Sequence, residues 1–227
     1  MQTHPQILPY LGDANSQYDC WGDHVSRTIS PMGVVSPHLD EVAPDTTVND
    51  WFHHGAWLTD GESVKVPEGM SAREWLAEYF FNYYSDVYKV DLASFSTRSE
   101  IMDSILYSLF PNFAPWAGFH PNLTYRFKPY GDRHDMCTME IIVLMRYPEG
   151  EPRPADCKVQ RLDKDQFFSE AAGLEGGLGR VFDQDFSNLK MVQRGLKNLQ
   201  SGEVVLSNYQ EVRIRHFHQT LDKYVNS

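Results

Sequence analysis

The clearest pattern of hydrophobic and polar positions lies mid-chain. There NLTYRFKP sets Leu123, Tyr125 and Phe127 against Thr124, Arg126 and Lys128. Such alternation predicts a strand with one covered face. The turn-rich YGDRHD and then MCTMEIIVLMRYP predict its longer antiparallel partner. A short third strand is expected around residues 158–162. Further upstream, residues 17–35 read as β-like, with Val25, Ile29 and Val34 interrupted by Pro31 and Gly33. Residues 40–70 carry Pro and Gly punctuation and read as a long irregular excursion.

Helical periodicity takes over elsewhere. Ser71-Ala-Arg-Glu74 has the form of a capping box and opens a helix whose apolar face is Trp75, Leu76, Tyr79, Phe80, Tyr83 and Val87. A second box, Thr97-Arg-Ser-Glu100, predicts a helix carrying Ile101, Ile105, Leu106 and Leu109 and ending at Pro111. A long helix is expected over residues 177–199. The last helix starts from Ser207-Asn-Tyr-Gln210 and presents Ile214, Phe217, Leu221 and Tyr224 on one side. Antiparallel strands followed by long helices give an α+β class, a sheet wrapped against a C-terminal helix. With neither a repeat nor a low-complexity linker, residues 1–227 are expected to be one domain.

One carboxylate breaks the pattern. At about 100° per residue, Leu178, Val181, Leu189, Val192 and Leu196 all fall within about 40° of Asp185, while Asp183 falls about 160° away. Asp185 is therefore expected on a buried apolar face and Asp183 on the solvent side. A buried carboxylate must be paired, protonated or bound to metal. Arg180 and Arg194, on the same helix, point the other way. Two readings stand: a buried ion pair or hydrogen bond to another element, or a metal ligand whose partners come from elsewhere in the chain.

Composition narrows the function classes. The 20 Lys+Arg against 31 Asp+Glu leave a net charge of −11, which argues against a nucleic-acid or anionic-membrane surface. Aromatic residues make up 13%, enough to wall a large pocket or to fill a bulky core. Cys20, Cys137 and Cys157 have no metal or redox spacing and read as buried or incidental thiols in a reducing cytoplasm. Nothing resembles a signal peptide, and no apolar run approaches the roughly 18 residues that would span a membrane.

The segments MQTHPQILPYLGDANSQYDCWGDHVSR, TYRFKPYGDRHD, VFDQDFSNLKMVQRGL and YQEVRIRHFHQTLDKYV, in that order, resemble the catalytic domain of the α subunit of Rieske-type ring-hydroxylating oxygenases. The resemblance implies a helix-grip (START-like, SRPBCC) fold. It also implies a mononuclear non-haem Fe(II) held by two histidines and one carboxylate. Matched residue by residue, Thr3-His4-Pro5 supplies the second histidine and Asp185 the carboxylate. By the family's spacing the first histidine would fall ahead of Met1, as would the acidic residue before it and the Rieske domain with its [2Fe–2S] cluster. The expectation is the catalytic portion of an aromatic-ring dioxygenase of hydrocarbon catabolism, present as part of a longer protein or as an inactive truncated homologue. A non-catalytic helix-grip module that binds an apolar ligand is the alternative. The family further implies O₂ and an arene as substrates, and electrons from NAD(P)H through a reductase or ferredoxin. It also implies a homotrimeric or α₃β₃ assembly in the cytoplasm. No catalytic residue beyond the iron ligands is assigned, and the pocket lining is not legible.

Other chemistry-bearing residues read as structural. His53 and His54 are adjacent and are expected in a loop. His216 and His218 splay apart on a helix, with Arg213, Arg215 and His216 expected to meet acidic neighbours or a subunit contact. GLEGGLGR lacks the end of a phosphate loop and reads as a flexible lead-in to the Asp185 helix. Tyr79, Phe80, Tyr83 and Tyr84 are expected to pack in a core or a subunit contact, with pocket lining the lesser alternative.

Overall fold

The hairpin expected from the alternating segment is present, and it closes one side of a larger sheet. In this computed structural model, residues 4–12, 15–54, 61–174 and 177–227 are described. The strands are β1 (Gln17–Trp21), β2 (Val25–Ser30), β3 (Ser104–Leu109), β4 (Phe113–Ala117), β5 (Leu123–Tyr130) and β6 (Arg133–Val143). The helices are α1 (Pro44–His54), α2 (Ala72–Tyr88), α3 (Arg98–Met102), α4 (Gly177–Lys197) and α5 (Val212–Val225). The chain divides into two compact units, each assembled from separated stretches.

The unit made of residues 12–32, 73–151 and 206–227 holds the sheet. Its six strands pair in sequence order, every neighbour antiparallel. The C-terminal helix α5 lies against β1 and β2, giving the expected α+β, helix-grip-like arrangement. Arg213 joins helix to sheet: its Nε donates to Ser26 Oγ at 3.2 Å and a terminal nitrogen donates to Ser108 Oγ. Burial lowers the Arg213 pKa. Arg215 donates to the Ser207 and Asn208 carbonyls, and His216 to the Gly22 carbonyl at 2.7 Å. Hydroxyls and main-chain oxygens thus supply the hydrogen-bond partners of these side chains, while His216 also lies near enough to Asp23 to lower its pKa.

Helix α2 buries Leu76, Ala77, Phe80 and Tyr84, while Tyr83 and Val87 stay exposed. The predicted face is therefore rotated towards Tyr84, whose ring stacks on Phe80 at 5.7 Å and meets Phe119. Four aromatic residues of one helix thus divide into a buried pair and a more open row of stacked rings, Tyr79 on Tyr83 at 6.1 Å.

Three sequence expectations fail here for identifiable reasons. The helix from the Thr97 capping box forms with both reciprocal bonds, but it stops at Met102 instead of running to Pro111. Asp103 turns extended, its carboxylate accepting from the Met32 amide and from Arg73. Residues 104–109 then pair with β2 on one side and β4 on the other, and this two-sided pairing overrides their helical spacing. No strand forms at residues 158–162. Gln160 instead clamps Ala172 through its side-chain amide, with both bonds at 2.9 Å. The last helix begins at Val212, since Glu211 rather than Gln210 reaches back to Ser207.

The other unit comprises residues 1–11, 33–72 and 152–205. Its core is Val48, Trp51 and Phe52 of α1 together with Leu8 and Tyr10, and Tyr10 stacks on Trp51 at 5.9 Å. A helix thus stands where irregular chain was expected. Pro44 sits in its first turn, and Val48, Trp51 and Phe52 have the i, i+3, i+4 spacing that the Pro and Gly punctuation had masked. Asn49 fastens the following segment by pairing with the Val64 amide and carbonyl at 2.7 and 2.9 Å. The three cysteines are free and exposed, so the expectation of buried thiols fails.

Candidate metal centre

The N-terminal segment reaches the late helix through a chain of local constraints. Residues Pro5–Ile7 form a single 3-10 turn, started by the fixed φ of Pro5. Downstream, the Ser36 amide donates to the Leu8 carbonyl at 2.8 Å and the Gly33 amide to the Tyr10 carbonyl at 2.7 Å. These ties hold the segment so that His4 faces α4.

Helix α4 is anchored by its first turns. Gly179 and Phe182 are buried, and a Cβ on Gly179 would lie 2.0 Å from the Leu174 carbonyl oxygen and 2.7 Å from Ser169 Cα. Only glycine permits that approach. Phe168 packs edge-on against Phe182 and Phe186, with ring centroids 5.6 and 5.1 Å apart. Asp183 accepts from the Phe168 amide at 2.5 Å and from Ser169 Oγ at 2.6 Å. The residue expected on the solvent side therefore caps the 168–170 turn. The Glu175–Gly176 part of the expected flexible lead-in lies outside the described residues, as does Thr3 of the Thr3-His4-Pro5 motif. Gly177 already belongs to α4.

The structure brings His4 and Asp185 together across 181 positions. His4 Nε2 stands 2.9 Å from Asp185 Oδ1, and His4 Nδ1 stands 2.7 Å from Gln184 Oε1. The same Gln184 oxygen accepts from Gln6 Nε2 at 2.8 Å. The hydrogen bond with Asp185 raises the His4 pKa; burial opposes it, while Gln184 and the carboxylate charge reinforce it.

Burial of Asp185 is the expectation that fails. Half of its side chain is exposed, against 19% for His4. The stripe that was to cover it is open too, with Leu178, Leu189, Val192 and Leu196 all exposed. Helical phase correctly groups these residues on one face, but the face that packs is the one bearing Gly179 and Phe182. Periodicity identifies an apolar stripe; it does not say whether this chain supplies its cover.

His54 adds a feature that sequence reasoning missed. It ends helix α1 rather than sitting in a loop, and its Nε2 is buried without a hydrogen-bond partner among the described residues. Burial, then the positive charges of His4 and Arg180, lower its pKa, so it is held neutral. Gly177 lies against it: a Cβ there would come within 3.2 Å of the imidazole and 2.4 Å of the His54 carbonyl oxygen. The only sequence signal was the apolar spacing of α1, which carries His54 onto its last turn.

An imidazole nitrogen and a carboxylate oxygen are the donor types that hold non-haem Fe(II). Two donors about 2.1 Å from one ion at a right angle stand about 3.0 Å apart. The 2.9 Å separation of His4 Nε2 and Asp185 Oδ1 fits two neighbouring positions of such an ion. Among the described residues, no group of three or more His, Cys, Asp or Glu side chains is gathered for a metal. The pair therefore fits two positions of a facial triad.

The family model described as ring hydroxylating alpha subunit (catalytic domain) matches residues 34–227, a span that includes Asp185 and leaves His4 outside. Searches of curated proteins and of solved structures found no match.

Proposed function

The chain belongs to the family of ring-hydroxylating alpha subunit catalytic domains, and we propose that it hydroxylates an aromatic substrate with O₂ at a mononuclear non-haem Fe(II). Oxidoreductase chemistry of the ring-hydroxylating dioxygenase type follows from the family itself. The finer reading makes His4 and Asp185 two of the iron's protein ligands, with residues 1–227 serving as one catalytic domain. The observation that carries it is the 2.9 Å approach of His4 Nε2 to Asp185 Oδ1, made by residues at opposite ends of the polypeptide.

When bound, the iron supplies open coordination positions for oxygen chemistry beside the arene. The protein's own residues set the conditions. Gln184 holds the outer face of the His4 ring, and Asp185 contributes negative charge to offset the cation. Phe182 and Phe186, packed on Phe168, fix the helix that presents Asp185. Electrons would come from NAD(P)H through a reductase or ferredoxin and a Rieske [2Fe–2S] centre, in a homotrimeric or α₃β₃ cytoplasmic assembly. Among the described residues, no helix is long and apolar enough to cross a membrane.

Anaerobic titration of the purified chain with Fe(II), followed calorimetrically, tests the assignment. Binding with one-to-one stoichiometry that disappears in both His4→Ala and Asp185→Ala is the expected result. Uptake of an apolar ligand that ignores iron and survives Asp185→Ala would instead favour the non-catalytic helix-grip module.

A further inference from the structure

We propose that the sheet carries, on the face turned away from α5, a cleft that binds a small uncharged arene bearing a hydroxyl group. The cleft belongs wholly to the sheet-bearing unit, whereas His4 and Asp185 belong to the other, so the proposal does not rest on the iron assignment.

Strand alternation builds the site. Successive residues of a strand point to opposite faces. Ser26 and Ser108 bond Arg213 of α5, so their neighbours Arg27 and Tyr107, paired across β2 and β3, face away from that helix. Ile105 shares their face and stands opposite Ala117 of β4. With Phe95 and Phe119, these side chains wall a cleft of about 450 Å³, room for one or two fused rings. The main chain fixes one end of it. The Phe119 amide donates to the Glu100 carbonyl at 2.8 Å, and a Cβ on Gly118 would collide with that same oxygen.

The polar lining selects the substituent. Arg27 donates from Nε and Nη2 to Asp19 at 3.1 and 2.7 Å, and from Nη1 to the Tyr107 hydroxyl at 3.4 Å. A guanidinium has five N–H groups, so two are left without a partner among the described residues. Glu100 uses Oε2 to accept from the Thr97 amide and hydroxyl, and its Oε1 has no partner among the described residues. The lining thus offers donors and an acceptor, and a hydroxyl group can answer both. An unsubstituted arene would strip water from these atoms without replacing its hydrogen bonds. A carboxylate meets the wrong charge, because Asp19 already neutralises Arg27 and Glu100 leaves the cleft negative. Phe95, 66% exposed, supplies a ring for a bound arene to cover.

Fluorescence titrations of the metal-free full chain with 2-naphthol, naphthalene and 2-naphthoate, which share one skeleton, test this. 2-Naphthol, uncharged at neutral pH, is expected to bind roughly 3–10-fold more tightly than either of the others. Glu100→Gln, which preserves the capping box, should tighten 2-naphthoate binding by about threefold. Ala117→Trp, which fills the cleft, should abolish uptake of all three. Phe95→Ala alters an exposed side chain and should weaken 2-naphthol binding by about threefold or more, which decides the matter if Ala117→Trp fails to fold. Neither variant touches the space between the sheet and α5, so both separate this cleft from a ligand held in the helix grip. Naphthalene or 2-naphthoate binding as tightly as 2-naphthol, or 2-naphthol uptake unchanged in Phe95→Ala, would overturn the proposal. No iron enters these measurements, so their failure leaves the Fe(II) assignment standing, and loss of that assignment leaves the cleft.

Discussion

Asp103 accepts three hydrogen bonds, from the Met32 amide at 3.0 Å and from two Arg73 nitrogens at 2.6 and 3.0 Å, and 5% of its side chain is exposed. Asp185 faces one imidazole nitrogen and leaves half of its side chain open. Both carboxylates are paired with a cationic or ionisable group far away in sequence. Asp103 has a donor on each oxygen and is almost wholly enclosed, which makes it part of the framework. Asp185 retains free lone pairs beside a ring whose protonation can change. Buried and satisfied marks a structural carboxylate; half-open and under-satisfied marks one available for chemistry.

The largest expected effect would sharpen that contrast. Asp103→Ala should lower stability by about 3 kcal/mol or more, because Arg73 and the Met32 amide lose their shared partner. Asp185→Ala should change stability by less than about 1 kcal/mol, as for a half-exposed pair, while removing Fe(II) uptake. Chemical denaturation of both variants checks this, and equal losses would break the distinction.

Next in size is the behaviour of two histidines with opposite pH dependence. Burial lowers the His120 pKa to about 4. The unfolded chain then binds the proton more readily, so stability falls as pH drops from about 6.5 towards 4, by about 3 kcal/mol in total. In His120→Phe this acid-sensitive component should disappear from the unfolding midpoint. The His4 pKa is raised, so the stability it contributes is complete below about 6.5 and is lost as pH climbs through the folded value. With Asp185 half exposed, that loss should stay below about 1 kcal/mol.

Two glycines of α4 extend the same comparison to packing. Gly179→Ala forces a Cβ against the Leu174 carbonyl oxygen and should cost about 1–3 kcal/mol, with Asp185 displaced and Fe(II) affinity reduced. A Cβ at Gly195 meets open space, so Gly195→Ala should stabilise by about 0.5–1 kcal/mol and leave metal uptake unchanged. Thermal melts of the two variants should move in opposite directions.

What could be read in advance was whatever local rules determine. Alternation at Leu123, Tyr125 and Phe127 gave the β5–β6 hairpin, and the Thr97–Glu100 box gave the start of α3. Pairing decided the rest: residues 104–109 became a strand because β2 and β4 flank them, which no local window contains. At the site, the resemblance and the anomalous position of Asp185 pointed to two side chains that the fold brings together, though the burial argument for Asp185 fails. The apolar stripe around Asp185 is real and uncovered, so burial was not what set this residue apart. Gln184, on a polar stretch, carries no pattern, and for His54 the sole signal was the apolar spacing of α1. Only the path of the backbone gives them their neighbours.

Among the described residues, the sheet ends at β1 and β6. Strand β6 pairs with β5 there and with no other described strand, and the chain leaves it through Val143, Leu144 and Met145, all exposed. EIIVLM is thus a run of strand-forming, apolar residues beside an unpaired ladder, the kind of stretch that recruits identical molecules into aggregates. The net charge of −11 opposes such stacking by mutual repulsion. Concentrated or acidified preparations should therefore lose solubility first at this margin, and a lysine at Val143 should extend shelf life without touching His4 or Asp185.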